Sequence, residues 1–224
     1  MIDFYRQFIA PNDLVFDVGA NIGERAEVFS ELALQVLAVE PVYDSLLALE
    51  RRVAHCANVI TLGRAVGAAE GTGNIHTSRA APTIGTASLS DDWIDAVKKS
   101  KRFGDADKWD KSHPVVITTL DALIKEYGRP AFIKIDVEGY EQEVLIGLTQ
   151  PVKALSFEFT PETTQRAHHC IFQCKELGMD EFNLSLGHTF ELGEWTDARG
   201  IIPRLYNHRF STTIYGDIYA RLPK

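Results

Sequence analysis

Acidic residues recur where apolar runs end. Asp17 sits in LVFDVG (14–19), Glu40 in QVLAVEP (35–41), Asp136 and Glu138 in AFIKIDVEG (131–139), and Glu158 in KALSFEFTP (153–161). A carboxylate at the edge of a buried sheet is costly unless it serves something. Such groups can hold a cationic ligand, bind a divalent cation, or take a proton from an acceptor. Asp136 and Glu138 lie two apart on an extended segment, so they point the same way. Glu158 holds the same position on the next apolar run. Together these three would form an acidic cleft suited to a cationic cofactor. The cleft leaves room for a divalent metal, but no metal ligands are assigned. The plainer readings are helix N-capping by Asp136 or Glu138 and a surface cap by Glu40.

The first acidic run feeds directly into Gly19-Ala20-Asn21-Ile22-Gly23 and then a helix. Glycine permits a tight turn and close ligand approach, and a helix N-terminus offers unpaired N–H groups. A dinucleotide fingerprint reads G-x-G-x-x-G, its second glycine making room for pyrophosphate. Here Asn21 takes that place. A side chain there crowds a pyrophosphate but can hydrogen-bond a smaller polar group. Asp17 beside the turn repels phosphate and attracts an ammonium. S-adenosylmethionine carries an ammonium and a sulfonium and no phosphate, so the local chemistry favours it. Glu40 follows roughly twenty residues on, where an acid accepts bonds from ribose hydroxyls. It supports adenosine in either cofactor class. An ordinary tight connection with no ligand is the bland alternative.

The elements that must position these residues alternate. Strand-like runs at 14–19, 35–41 and 58–71 are separated by helical periods at 23–34 and 43–55. That pattern predicts βαβαβ units, a parallel sheet and helices on both faces. A strand and short helix at 115–128, a strand at 131–139, a helix, a strand at 153–161 and a helix at 162–178 continue it. DEFNLSL and 211–222 read as late strands, and the N-terminus as a short amphipathic helix. Residues 72–113 break the rhythm with a hairpin strand near 73–77, a small-residue loop and a polar helix near 90–102. They read as an insertion or lid within one domain spanning 1–224.

The chain has 224 residues, a net charge of -8 and three cysteines. The negative balance argues against nucleic acid as partner. The basic cluster VKKSKRF (97–103) reads as a solvated helix face. Cys170 and Cys174 suit one helix face, and Cys56 stands apart, as in a reduced cytoplasmic protein. No apolar run approaches the ~18 residues of a membrane span, and no signal peptide is expected. Oligomeric state is not legible.

FDVGANIG, VEP, the S-L pair at 88–89 after a small-residue loop, TLDAL and IKIDVEGYE followed by a helix resemble the FkbM-type S-adenosylmethionine-dependent methyltransferases over roughly residues 14–160. The resemblance implies the class I methyltransferase fold: an α/β, Rossmann-like, doubly wound sheet of seven mostly parallel strands with an antiparallel final strand. It implies S-adenosylmethionine as cofactor, leaving S-adenosylhomocysteine. It places the cofactor loop on Asp17, Gly19, Asn21 and Gly23, the ribose acid on Glu40, the adenine edge near Ala65 and Val66, the serine of the S-L element on Ser88, and the acidic strand end on Asp136. It implies methylation of oxygen on a sugar or other small molecule.

Such a transfer is an in-line displacement that needs alignment and exclusion of water. A hydroxyl acceptor benefits from a general base. Asp136 is the first choice and Glu158 the second, with His188 and His76 as alternatives. His168 and His169 lie in a helical stretch and take no role. Trp195, Tyr206 and Phe210 either wall an acceptor pocket or pack the core. Two rival functions stand: a nicotinamide-dependent oxidoreductase and a non-catalytic adenosine-binding module.

Overall fold

The computed structural model describes residues 1–78, 86–104, 108–187, 189–209, 211 and 214–223. The expected alternation forms. In chain order come α1 (Ile2–Tyr5), β1 (Leu14–Val18), α2 (Glu24–Ser30), β2 (Gln35–Val39), α3 (Tyr43–Arg52), β3 (Val59–Leu62), β4 (Ala65–Val66), β5 (Gly71–Thr77), α4 (Asp91–Ser100), β6 (Lys111–Thr118), α5 (Leu120–Tyr127), β7 (Phe132–Ile135), α6 (Glu141–Ile146), β8 (Ala154–Phe159), α7 (Thr164–Glu176), β9 (Glu181–Leu186), α8 (Ala198–Tyr206) and β10 (Gly216–Arg221). A 3₁₀ turn at Pro161–Thr163 leads into α7.

Seven strands form one sheet in the order β3-β2-β1-β7-β8-β10-β9. β1 pairs in parallel with β2 and β7, and β7 with β8. β10 inserts antiparallel between β8 and β9. This is the α/β, doubly wound, seven-stranded sheet with an antiparallel final strand that the resemblance implies. The order reverses direction between β1 and β7, the switch point outside which ligands bind in such sheets.

Strand periodicity divides the core. Phe16, Val18, Ile133, Ile135, Leu155 and Phe157 pack on one face against α5 to α8. Val15, Phe132, Ala154 and Tyr219 pack on the other with Tyr5, Phe29 and Leu49 from α1 to α3. On that second face the upper register is polar: Asp17 pairs in register with Lys134, and Lys134 with Ser156. Cys170 and Cys174 lie together in the first core as free thiols.

Three departures from expectation matter. The strand near 115 does not join the main sheet; β6 pairs with β4 and β5 in a separate three-stranded sheet. α4 is not simply a polar surface helix, because it buries Trp93, Ile94 and Val97. Within the basic cluster Lys98, Lys99 and Lys101 are exposed, but Arg102 is not solvated. It pairs with Glu162 at 2.9 Å, their side chains only 7% and 6% exposed. α8 was not anticipated. It starts on an Asp197 side chain that accepts a bond from the Gly200 amide, and it contains Pro203.

Candidate functional site

A cavity of about 650 Å³ opens at the carboxyl ends of β1, β2, β7 and β8. Asp17, Gly19, Asn21, Glu40, Val66, Asp136, Glu138 and Glu158 all line it. Gly23 and Ser88 do not.

The turn after β1 is held from within. The amides of Gly19 and Ala20 donate to the Val39 carbonyl at 2.9 and 3.0 Å, and that of Gly23 to Ala20 at 2.8 Å. The Asn21 amide donates to Glu40 Oε2 at 2.9 Å, while Glu40 Oε1 accepts from Val42 at 2.8 Å. Glu40 therefore occupies the place where a phosphate would meet the turn. Burial raises its pKa to about 7 despite those two donors. Gly19 is required for a reason other than ligand approach. At φ +82°, an added Cβ would collide with the Asp136 backbone carbonyl, so the glycine lets two strand ends touch. A Cβ on Gly23 would meet Leu49, so this glycine packs α2 against α3.

The acids beyond the turn divide into paired and unpaired groups. Lys134, wholly buried, donates to Asp217 at 2.6 Å and approaches Asp136 at 3.4 Å. Arg25, from α2, reaches the same Asp136 oxygen at 3.2 Å. Burial alone would raise the Asp136 pKa, but Lys134 and Arg25 together hold it below the usual carboxylate range. Burial likewise pulls the Lys134 pKa down, and Asp136 and Asp217 more than reverse it. Asp17 lies 1% exposed with Oδ2 unpartnered. Burial lifts its pKa to about 6, opposed by Arg25 and Lys134. Glu138 and Glu158 are raised well above their ordinary values, first by burial and then by Asp136.

One oxygen each from Asp136, Glu138 and Glu158 falls within 4.8 Å of the others. That spacing would suit a cation's oxygen shell. Asp136 is already bound to two side-chain cations, however, and Glu158 shares a hydrogen bond with it. The set is read as proton-sharing carboxyls, and no metal is assigned.

The turn that carries Glu138 is firmly built. Glu138 has φ +53° and Gly139 φ +88°. Ser88, fully buried, donates its hydroxyl to the Glu138 carbonyl at 2.6 Å and accepts from the Ser90 amide at 2.9 Å. Glu141 accepts from the Gly139 and Val137 amides at 3.1 and 3.2 Å. Trp93 packs where a Gly139 Cβ would lie, and its indole N–H donates to Thr160 at 3.1 Å. Ser88 thus sits behind the cavity wall and shapes it.

His76 points to Asp91 at 3.3 Å and does not line the cavity. His188 and Phe210 lie outside the described residues. Trp195 stacks on the Arg221 guanidinium at 3.8 Å, at the far end of the sheet, and Tyr206 meets His168 at 3.1 Å. Neither walls the cavity. Phe103, Tyr140 and Tyr215 do. Lys134, Arg25 and Asp217 complete the site without belonging to any of the acidic or glycine motifs. Lys134 left one signal, a lysine inside the otherwise apolar FIKI.

Residues 17–190 match the model of the Methyltransferase FkbM domain. No curated protein matches the chain. Among solved structures, methyltransferase FkbM from Methylobacillus flagellatus KT is similar with a TM-score of 0.51 and 15% identity, over 98% of this chain and 50% of that one. The chain thus spans half the length of that protein. Precorrin-6y C5,15-methyltransferase from Geobacter metallireducens GS-15 gives a TM-score of 0.51 at 9% identity, over 99% and 86% of the two chains. At these identities the structures speak to fold alone.

Proposed function

The chain belongs to the FkbM methyltransferase family, and we propose that it transfers a methyl group from S-adenosylmethionine to a hydroxyl oxygen of a small molecule or sugar. The observation that carries the cofactor choice is the clamp of Glu40 on the Asn21 amide. With the amides of Gly19, Ala20, Asn21 and Gly23 all engaged inside the protein, the turn has little to offer a pyrophosphate. An acidic wall suits an ammonium and a sulfonium instead. This weighs against the nicotinamide reading.

In this reading Glu40 takes the ribose hydroxyls, Ala65 and Val66 border the adenine, and Asp17 and Asn21 face the amino-acid end. Gly19 and Gly23 shape the loop, and Ser88 acts through the Glu138 turn. The cofactor supplies an electrophilic methyl already activated by the positive sulfur. The protein's part is to align the acceptor, exclude water and receive the hydroxyl proton. Asp136, tied to Lys134 and Arg25, is the weaker proton acceptor and the better electrostatic anchor. Glu158, with no ion pair among the described residues, has the higher proton affinity and is the stronger base once ionised.

Calorimetric titration with S-adenosylhomocysteine, NAD and NADP tests the cofactor choice. Heat with the first alone is expected; binding of either dinucleotide in its place overturns the reading. Once a hydroxyl acceptor turns over, Glu158→Gln should keep cofactor binding and lose transfer, while Asp136→Asn should weaken cofactor binding as well. The same outcome separates an enzyme from a non-catalytic binding module.

A further inference from the structure

We infer that Glu138 is the counter-ion of the cofactor's positive sulfur, held in place by Ser88, and that it makes the site prefer the charged methyl donor to its neutral product. The inference rests on the proposed use of S-adenosylmethionine. The position follows from the sheet. Glu40, at the end of β2, fixes the ribose side. β1 and β7 follow in order, so two strand spacings, about 10 Å, separate Glu40 from the β7 end. A group attached close to the ribose therefore lies over β1 and β7, where Glu138 lines the cavity.

Among the acids there, Glu138 differs in its partners. Asp136 is neutralised by Lys134 and Arg25. Glu158 shares a hydrogen bond with Asp136. No hydrogen bond or ion pair among the described residues reaches the Glu138 carboxyl. Its surroundings are mixed: Lys134 on β7 and Asp136 just after it, Glu141 on α6, Glu158 on β8 and Arg102 beyond α4. Arg102 is already committed to Glu162. The backbone accepts a left-handed, non-glycine conformation at Glu138, which ordinary sequences avoid and which persists only where the surroundings enforce it. Ser88, Glu141 and Trp93 enforce it here. The result is a half-buried acid, facing the cavity, with no ion pair of its own among the described residues.

A positive sulfur supplies that cation. When the methyl passes to the acceptor oxygen, a carbon–oxygen bond forms, the hydroxyl proton goes to the base, and the carbon–sulfur bond breaks with its electron pair remaining on sulfur, so the positive charge on sulfur is gone. The attraction to Glu138 disappears with it, and the spent cofactor loses its hold.

Calorimetry with S-adenosylmethionine and S-adenosylhomocysteine on wild type, Glu138→Gln and Ser88→Ala tests this without any acceptor. In Glu138→Gln the ratio of the two affinities should fall on the order of tenfold toward the neutral compound, with product affinity nearly unchanged. Ser88→Ala should move the ratio the same way, by less. A purely structural role would weaken both ligands alike, and that result overturns the inference. A second measurement needs only wild type: titrations in buffers of different ionisation enthalpy should show more protons released with the methyl donor than with the product. Equal release overturns it. If wild type binds neither compound, the cofactor reading itself falls and the inference with it. Binding of both with an unchanged ratio in Glu138→Gln sinks the inference alone.

Discussion

At the scale of single residues, the site places buried carboxyls where their ionisation has a measurable cost. Asp17 is the cleanest case. Its folded pKa of about 6 exceeds the ordinary 3.8. Between those values the folded chain holds a proton that the unfolded chain has lost, so stability falls as pH rises through this window. Asp17→Asn should remove that dependence. Urea denaturation at several pH values should show the variant gaining on wild type by up to about 3 kcal/mol between pH 4 and 6. Gly19→Ala should cost about 2 kcal/mol or more, because positive φ and the Asp136 carbonyl both oppose a Cβ. A chemical melt reads that loss directly. These acids were legible because each closes an apolar run. Their partners were not. Lys134 and Asp217 meet across 83 positions of chain, and strand register over such a span is written in no local pattern.

At the scale of elements, α4 owes its place to a few long-range ties. Arg102 and Ser100 both grip Glu162, and Arg102 also reaches the Ile214 carbonyl. Removing Arg102 leaves Glu162 buried and short of its charge partner, a change that typically costs 3–5 kcal/mol. For Arg102→Ala we expect faster hydrogen exchange in residues 91–100 than in β1 or β7, and a lower melting temperature. Uniform protection with an unchanged melt would contradict this role. The alternation of strands and helices announced the large sheet, since each segment carried its own period. The small sheet escaped because β6 could equally have extended the parallel one. α8 escaped because Gly200 and Pro203 interrupt its helical signature.

At the scale of the whole molecule, the cavity over the switch point links both halves of the sheet, so ligand binding should be felt globally. S-adenosylhomocysteine at about a hundred times its dissociation constant should add about 2.7 kcal/mol, or about 5 °C in melting temperature for a chain this long. A thermal-shift series against ligand concentration checks it. The position of β10 carries a further consequence. As a chain of this sequence leaves the ribosome, β8 emerges with an open edge, and Lys134, already beside Asp136, still lacks its closer partner Asp217. β9 follows and still lacks its place in the sheet, because among the described residues the strand it pairs with there is β10. Chains halted before residue 216 should therefore stay protease-sensitive and bind chaperones, and β10, made after both strands it joins, should act as the latch that closes the sheet.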